Sequence, residues 1–189
     1  MKVVGVAGST RRNGNTVRVL EEVLAVCRQE GLETRLIDLS DKRIEDCRVC
    51  LYCRRHPGEC AQEDDLPAIY QELKAADALV LASPVYYSSL TARMKAFIDR
   101  VGWLSGSEGR VFERKVGGGL VVGRRAGHIF ALNELNNFFL HQGMILPGST
   151  YWNVAFGREP GEVSADAEGM ATARNFASNL AWLVKKLAQ

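Results

Sequence analysis

Short apolar, β-prone runs alternate along this chain with longer stretches of helical periodicity. The runs are KVVGVA at 2–7, TRLIDL at 34–39, ALVLA at 78–82 and VGGGLVV at 116–122, and Met144 to Leu146 begins a fifth. Runs of this kind are typical of parallel strands covered on both faces. Between the first two, residues 16–29 set Val17, Leu20, Leu24 and Cys27 at helical spacing, and Gly31 supplies a stop. Asp64-Asp65-Leu66-Pro67 opens a second helix, with an acidic cap and proline in the first turn, reaching about residue 76. Further helices are predicted over about 91–103 and over 129–142, the latter carrying Leu132, Leu135, Phe138 and Phe139. A closing helix over 166–187 puts Ala177, Leu180, Ala181, Val184 and Leu187 on one face. Five strands alternating with helices imply an α/β fold, a three-layer α/β/α sandwich around a parallel sheet. The 189 residues suit one domain over 1–189, interrupted by a cysteine-rich loop at 40–63. No repeat, low-complexity tract or linker marks a second domain.

If the strand order is 2-1-3-4-5, a crevice opens beyond the carboxyl ends of strands 1 and 3. The loops after those two strands are the ones whose residues carry chemistry. The first, GSTRRNGNT at 8–16, joins a strand to a helix. Backbone N–H groups at a helix start lack internal partners and face the positive end of the helix dipole, so they take up phosphate readily. Ser9, Thr10, Asn15 and Thr16 add hydroxyl and amide groups, and Arg11 adds a cation. The loop is neither a Walker A motif nor the G-x-G-x-x-G fingerprint, and it has no cysteine nucleophile of the phosphatase kind. The second loop, SPVYYSS at 83–89, offers Pro84 to stiffen the turn, exposed amides near Val85, Ser89, and Tyr86 as a stacking ring. The third, GRRAG at 123–127, brings Gly123 and Arg124 to the same edge.

Four of the five cysteines fall in Cys47-x2-Cys50-x2-Cys53-x6-Cys60. Bacterial ferredoxins use a comparable C-x2-C-x2-C run to ligate iron and sulfur. Three occupants stay open from the spacing alone: an iron–sulfur cluster, a zinc ion on four thiolates, or no metal. Cys27, alone on an apolar helix face, reads as a small buried hydrophobe. His56, His128 and His141 are scattered, and no catalytic acid or base is assigned. The net charge of +2, from 24 basic and 22 acidic residues, leaves no basic stripe for nucleic acid. No apolar stretch is long enough to span a membrane, and the N-terminal apolar run is too short for a signal peptide, so the cytoplasm is the expected location.

GSTRRNGNT, SPVYYSSLTARMKAFIDR, VGGGLVVGRRAG, FFLHQGMILPGSTYWNVAFG and NLAWLVKKL together resemble the flavodoxin-like NADPH-dependent FMN reductase superfamily over essentially the whole chain. The cysteine spacing, with the trailing Asp64-Asp65, resembles its iron–sulfur flavoprotein branch, which carries a 4Fe-4S cluster beside FMN. The resemblance implies that Ser9, Arg11, Asn15 and Thr16 hold the FMN phosphate. It implies that Pro84, Val85, Tyr86 and Ser89 line the isoalloxazine, with Gly123 and Arg124 closing over it. Cys47, Cys50, Cys53 and Cys60 become the cluster ligands. The partners implied are ferredoxin or NAD(P)H, and the assembly a homodimer or homotetramer in which clusters approach FMN across an interface. Two rival functions are an NAD(P)H-dependent flavin or quinone reductase without a cluster and a non-catalytic flavin-binding module.

Overall fold

A computed structural model describes residues 1–188, and in it the five strands form one parallel sheet in the order β2-β1-β3-β4-β5. The strands are β1 (Lys2–Ala7), β2 (Glu33–Asp38), β3 (Ala78–Pro84), β4 (Val116–Gly123) and β5 (Val154–Phe156). The helices are α1 (Asn15–Gln29), the single turn α2 (Tyr52–Arg55), α3 (Leu66–Lys74), α4 (Ala92–Ser107), α5 (His128–His141) and α6 (Ala167–Leu187). The central strands are buried on both faces, which explains why their sequences do not alternate. β2 lies at the sheet edge and alternates accordingly.

Two apolar cores flank the sheet. Leu20, Leu24, Phe176, Leu180 and Val184 of α1 and α6 fill one face. Tyr70, Phe97, Val101, Leu135 and Phe139 of α3, α4 and α5 fill the other. The glycines of β4, weak as strand formers, are required by this packing. A Cβ on Gly118 would stand 2.3 Å from the Phe176 ring, and one on Gly117 would stand 2.5 Å from Phe139 on the opposite face.

The fifth strand differs from expectation. Ile145 makes only one parallel bridge, to Val116, with bonds to the Lys115 carbonyl and the Gly117 N–H. Pro147 has no N–H to continue the ladder. The chain swings out and returns at Asn153, whose carbonyl accepts from Val121, so the strand proper is Val154–Phe156. Among the described residues, no helix is long and apolar enough to cross a membrane.

Candidate functional site

The carboxyl ends of β1, β3 and β4 converge on one end of the sheet, bringing together three of the loops singled out from sequence. Residues 9–14 lead into α1, whose first internal bond runs from Arg18 N–H to the Gly14 carbonyl. Gly14 occupies the cap position and supplies no side-chain acceptor. The N–H groups of Asn15, Thr16 and Val17 therefore lack a capping side chain at the positive end of the helix. Ser9 and Thr16 are buried beside them. Ser9 Oγ accepts from Arg11 N–H at 3.0 Å and braces the turn. Arg11 is exposed and donates to the Arg158 carbonyl. Asn15 is engaged elsewhere: its side chain donates to the Glu159 carbonyl at 2.9 Å and accepts from Gly161 N–H at 2.8 Å. It pins residues 159–161 against the cradle.

The second loop is locked onto the first. Tyr86 and Ser89 exchange backbone bonds around Tyr87 and Ser88, both in the left-handed region, as a tight reversal requires. Val85 N–H donates to the Val122 carbonyl. Tyr86 Oη lies 3.1 Å from Thr10 Oγ1, so the two loops share a hydrogen bond while the Tyr86 ring stays half-exposed. Gly127, at φ +90°, passes so close to Ser88 and Val85 that a Cβ would stand 2.8 Å from Ser88 Cα. Gly123 packs over the buried His128, and Arg124 is exposed at the rim. His128 has no obvious signal in the sequence beyond opening α5 after a glycine. Its Nε2 lies 3.2 Å from the Ala155 carbonyl, and burial holds its pKa below the ordinary value.

The cysteine loop starts at this same end of the sheet but does not stay there. After a 3-10 turn (Leu39–Asp41), its two arms pair at a neck. Arg43 N–H donates to Asp65, Glu45 N–H donates to Asp64, and Gln62 donates to the Asp46 carbonyl. The head beyond the neck lies on α4. Gly58 N–H donates to Ser107 Oγ at 3.0 Å, and the Arg54 guanidinium sits 5.6 Å from the centre of the Trp103 ring. Cys47, Cys50, Cys53 and Cys60 line one pocket with Gln62, Arg100, Trp103 and Leu104. From Thr91, at the end of α4 that meets the first loop at Gly8, to Trp103 the helix advances by roughly 18 Å. The cysteines thus sit well down the flank of the sheet, not at its end as the loop's starting point suggests.

The head is strained. Val49 and Leu51, the residues on either side of Cys50, have φ values of 50° and 57°. A β-branched residue in that region is a genuine outlier, and such strain persists where surrounding contacts impose it. Backbones of this kind form amide-lined concavities that take up anions, iron–sulfur clusters among them. Two buried polar atoms beside the pocket, Gln62 Oε1 and Arg100 Nε, have no partner among the described residues. Also among the described residues, no three Cys, His, Asp or Glu side chains converge closely enough to hold a single metal ion. Cys27 is fully buried in the core, where burial pushes its thiol up to about 11, an inert group.

A parallel 2-1-3-4-5 sheet with an uncapped, hydroxyl-lined helix start at its switch point is a flavodoxin-like protein. The family profile described as NADPH-dependent FMN reductase matches residues 1–159, and the chain belongs to that family. It is a flavin-dependent oxidoreductase. An iron–sulfur flavoprotein of Methanocaldococcus jannaschii is 36% identical over 192 residues, covering 98% of both chains. Another, of Archaeoglobus fulgidus, is 32% identical over 197 residues, again covering 98% of each. Among solved structures, RosB with bound 8-demethyl-8-formylriboflavin-5′-phosphate superposes with a TM-score of 0.81 at 21% identity, over 100% of this chain and 80% of that one. A WrbA-like flavodoxin of Agrobacterium tumefaciens gives 0.68 at 19% identity, over 98% of both.

Proposed function

We propose that this protein is an iron–sulfur flavoprotein that carries electrons between a one-electron donor such as ferredoxin and an acceptor. The observation that carries this reading is the convergence of Cys47, Cys50, Cys53 and Cys60 on one pocket within a loop strained on both sides of Cys50. A C-x2-C-x2-C run with a fourth cysteine on the same pocket is a ligand set that iron–sulfur clusters use. When bound, FMN supplies two-electron chemistry and the cluster one-electron steps.

The chain's own residues do the rest. The N–H groups of Asn15, Thr16 and Val17, with the hydroxyls of Ser9, Thr10 and Thr16 and the Arg11 cation, hold the FMN phosphate. Asn15 acts through the 159–161 segment that it ties down. Pro84, Val85, Tyr86 and Ser89 seat the isoalloxazine, and Gly123 and Arg124 border it. The roughly 18 Å descent of α4 separates flavin and cysteines within one chain, which favours a homodimer or homotetramer. A second reading, an NAD(P)H-dependent reductase, draws on the exposed Arg124 and Arg125 at the flavin end.

Iron, sulfide and FMN are to be assayed in anaerobically purified protein, with a visible spectrum. Cluster and flavin absorption are both expected. Cys50→Ser should abolish the cluster absorption and leave FMN bound. Iron-free wild-type protein would overturn the proposal, and bleaching of its flavin by NAD(P)H would then establish the second reading.

A further inference from the structure

Arg100 of α4 is 2% exposed, and its partner Asp64 has a fully buried carboxylate. The pair is bidentate, with Nη1 on Asp64 Oδ2 and Nη2 on Asp64 Oδ1 at 3.0 Å. Nη1 also donates to the Glu45 carbonyl at 3.1 Å, and Nη2 donates to Cys60 Sγ at 3.1 Å. Asp64 is itself held by the N–H groups of Glu45 and Leu66. A buried ion pair is weak evidence for stability, because desolvation offsets much of the attraction. This one ties both arms of the loop neck to α4 and aims one guanidinium hydrogen at a single sulfur. Cys47, Cys50 and Cys53 receive no comparable side-chain donor among the described residues.

We propose that Arg100 and Asp64 form a tuning couple: Arg100 is a positioning residue whose charge-assisted bond to Cys60 raises the midpoint potential of the centre held there, and Asp64 limits that rise. The inference rests on the iron–sulfur reading. Cluster potentials follow net charge and hydrogen bonds to sulfur, and both variables are set at Cys60 by this pair. The two members must therefore act with opposite sign. Loss of the Arg100 cation lowers the potential, while loss of the Asp64 charge raises it by leaving the cation unopposed.

The test is a one-electron titration of the holoprotein with dithionite and mediators, followed by electron paramagnetic resonance. Arg100→Gln should shift the reduction equilibrium about tenfold toward the oxidised form, a fall of about 59 mV for one electron. Asp64→Asn should shift it the opposite way. Arg100→Lys, which restores the cation, should recover part of the fall. A merely structural pair would change cluster occupancy while retained clusters titrated as in the wild type. If Arg100→Gln does not fold, the double variant Arg100→Gln/Asp64→Asn, which buries no unpaired charge, carries the same test. Its potential should lie below that of Asp64→Asn. Shifts of one sign in Arg100→Gln and Asp64→Asn, or no shift, would overturn the proposal. Absence of iron in the wild type would instead overturn the functional reading beneath it.

Discussion

His128 stands where three segments of the flavin end meet. Its ring packs 4.4 Å from that of Phe156, its Nε2 reaches the Ala155 carbonyl, and a Cβ on Gly123 would stand 2.6 Å from the same nitrogen. A carbonyl only accepts, so Nε2 carries the proton in the bond to Ala155. Burial is the main cause of the lowered pKa and outweighs the bonds to Ala155 and Gly123, which favour the charged form. The unfolded chain therefore binds a proton at this residue more readily than the folded one. The sign follows from linkage: the stability tied to His128 is complete above its ordinary pKa of 6.5 and is lost as pH falls below that. His128→Gln should cost roughly 1–3 kcal/mol at pH 7.5, as buried polar replacements do. It should also flatten the decline of stability between pH 7.5 and 5. Urea melts of both proteins across that range check it; parallel pH profiles would refute the assignment.

The start of α1 is a helix terminus left without a side-chain cap. Gly14 sits at the cap with φ −74° and ψ 178°, an extended conformation open to any residue. A Cβ there would meet Arg11 O at 3.3 Å, a tight but adjustable contact. Aspartate in this position would cap the free amides and complement the helix dipole. Gly14→Asp should therefore raise the stability of the FMN-free protein by a few tenths of a kcal/mol. If those amides hold the FMN phosphate as proposed, the same carboxylate occupies them, and FMN affinity should fall at least a hundredfold, about 2.7 kcal/mol. Thermal melts without flavin and fluorescence titration with FMN read the two effects. A variant that is both destabilised and flavin-competent would contradict the cradle. This element was legible in the sequence because strand, loop and helix are contiguous and each signal is local. The fifth strand was not, because Ile145 carries the strand signal and Pro147 cancels it only by removing the next ladder bond. Arg100 was not legible either. It falls within MKAFIDR on an ordinary amphipathic helix, and its partners Asp64 and Cys60 lie 36 and 40 residues away in the chain.

At the scale of the molecule, the question is how the two proposed centres communicate. Thr91 fixes the upper end of α4 by donating to the Gly8 carbonyl at 2.7 Å while capping Met94 N–H. Trp103 and Leu104 fix the level of the cysteine pocket further down the same helix. If the flavin is seated by the 83–89 loop as proposed, this helix holds the cysteines away from the flavin of their own chain. Spacing of x2 between cysteines dictates how the loop wraps locally but says nothing of where the loop lands on the fold. If electrons pass between copies, two defective chains should repair each other. Gly14→Asp keeps the cysteines and loses flavin, and Cys50→Ser keeps flavin and loses the cluster. Each homo-oligomer alone should fail to reduce flavin from a one-electron donor. Hetero-oligomers formed by co-expression and purified on two different tags should recover it, up to about the wild-type rate per bound flavin and half of it per chain if one chain's cysteines serve its neighbour's flavin. Stopped-flow flavin bleaching measures the rate. Its absence in mixed oligomers that contain both centres would mean that transfer stays within one chain, against the separation that α4 imposes.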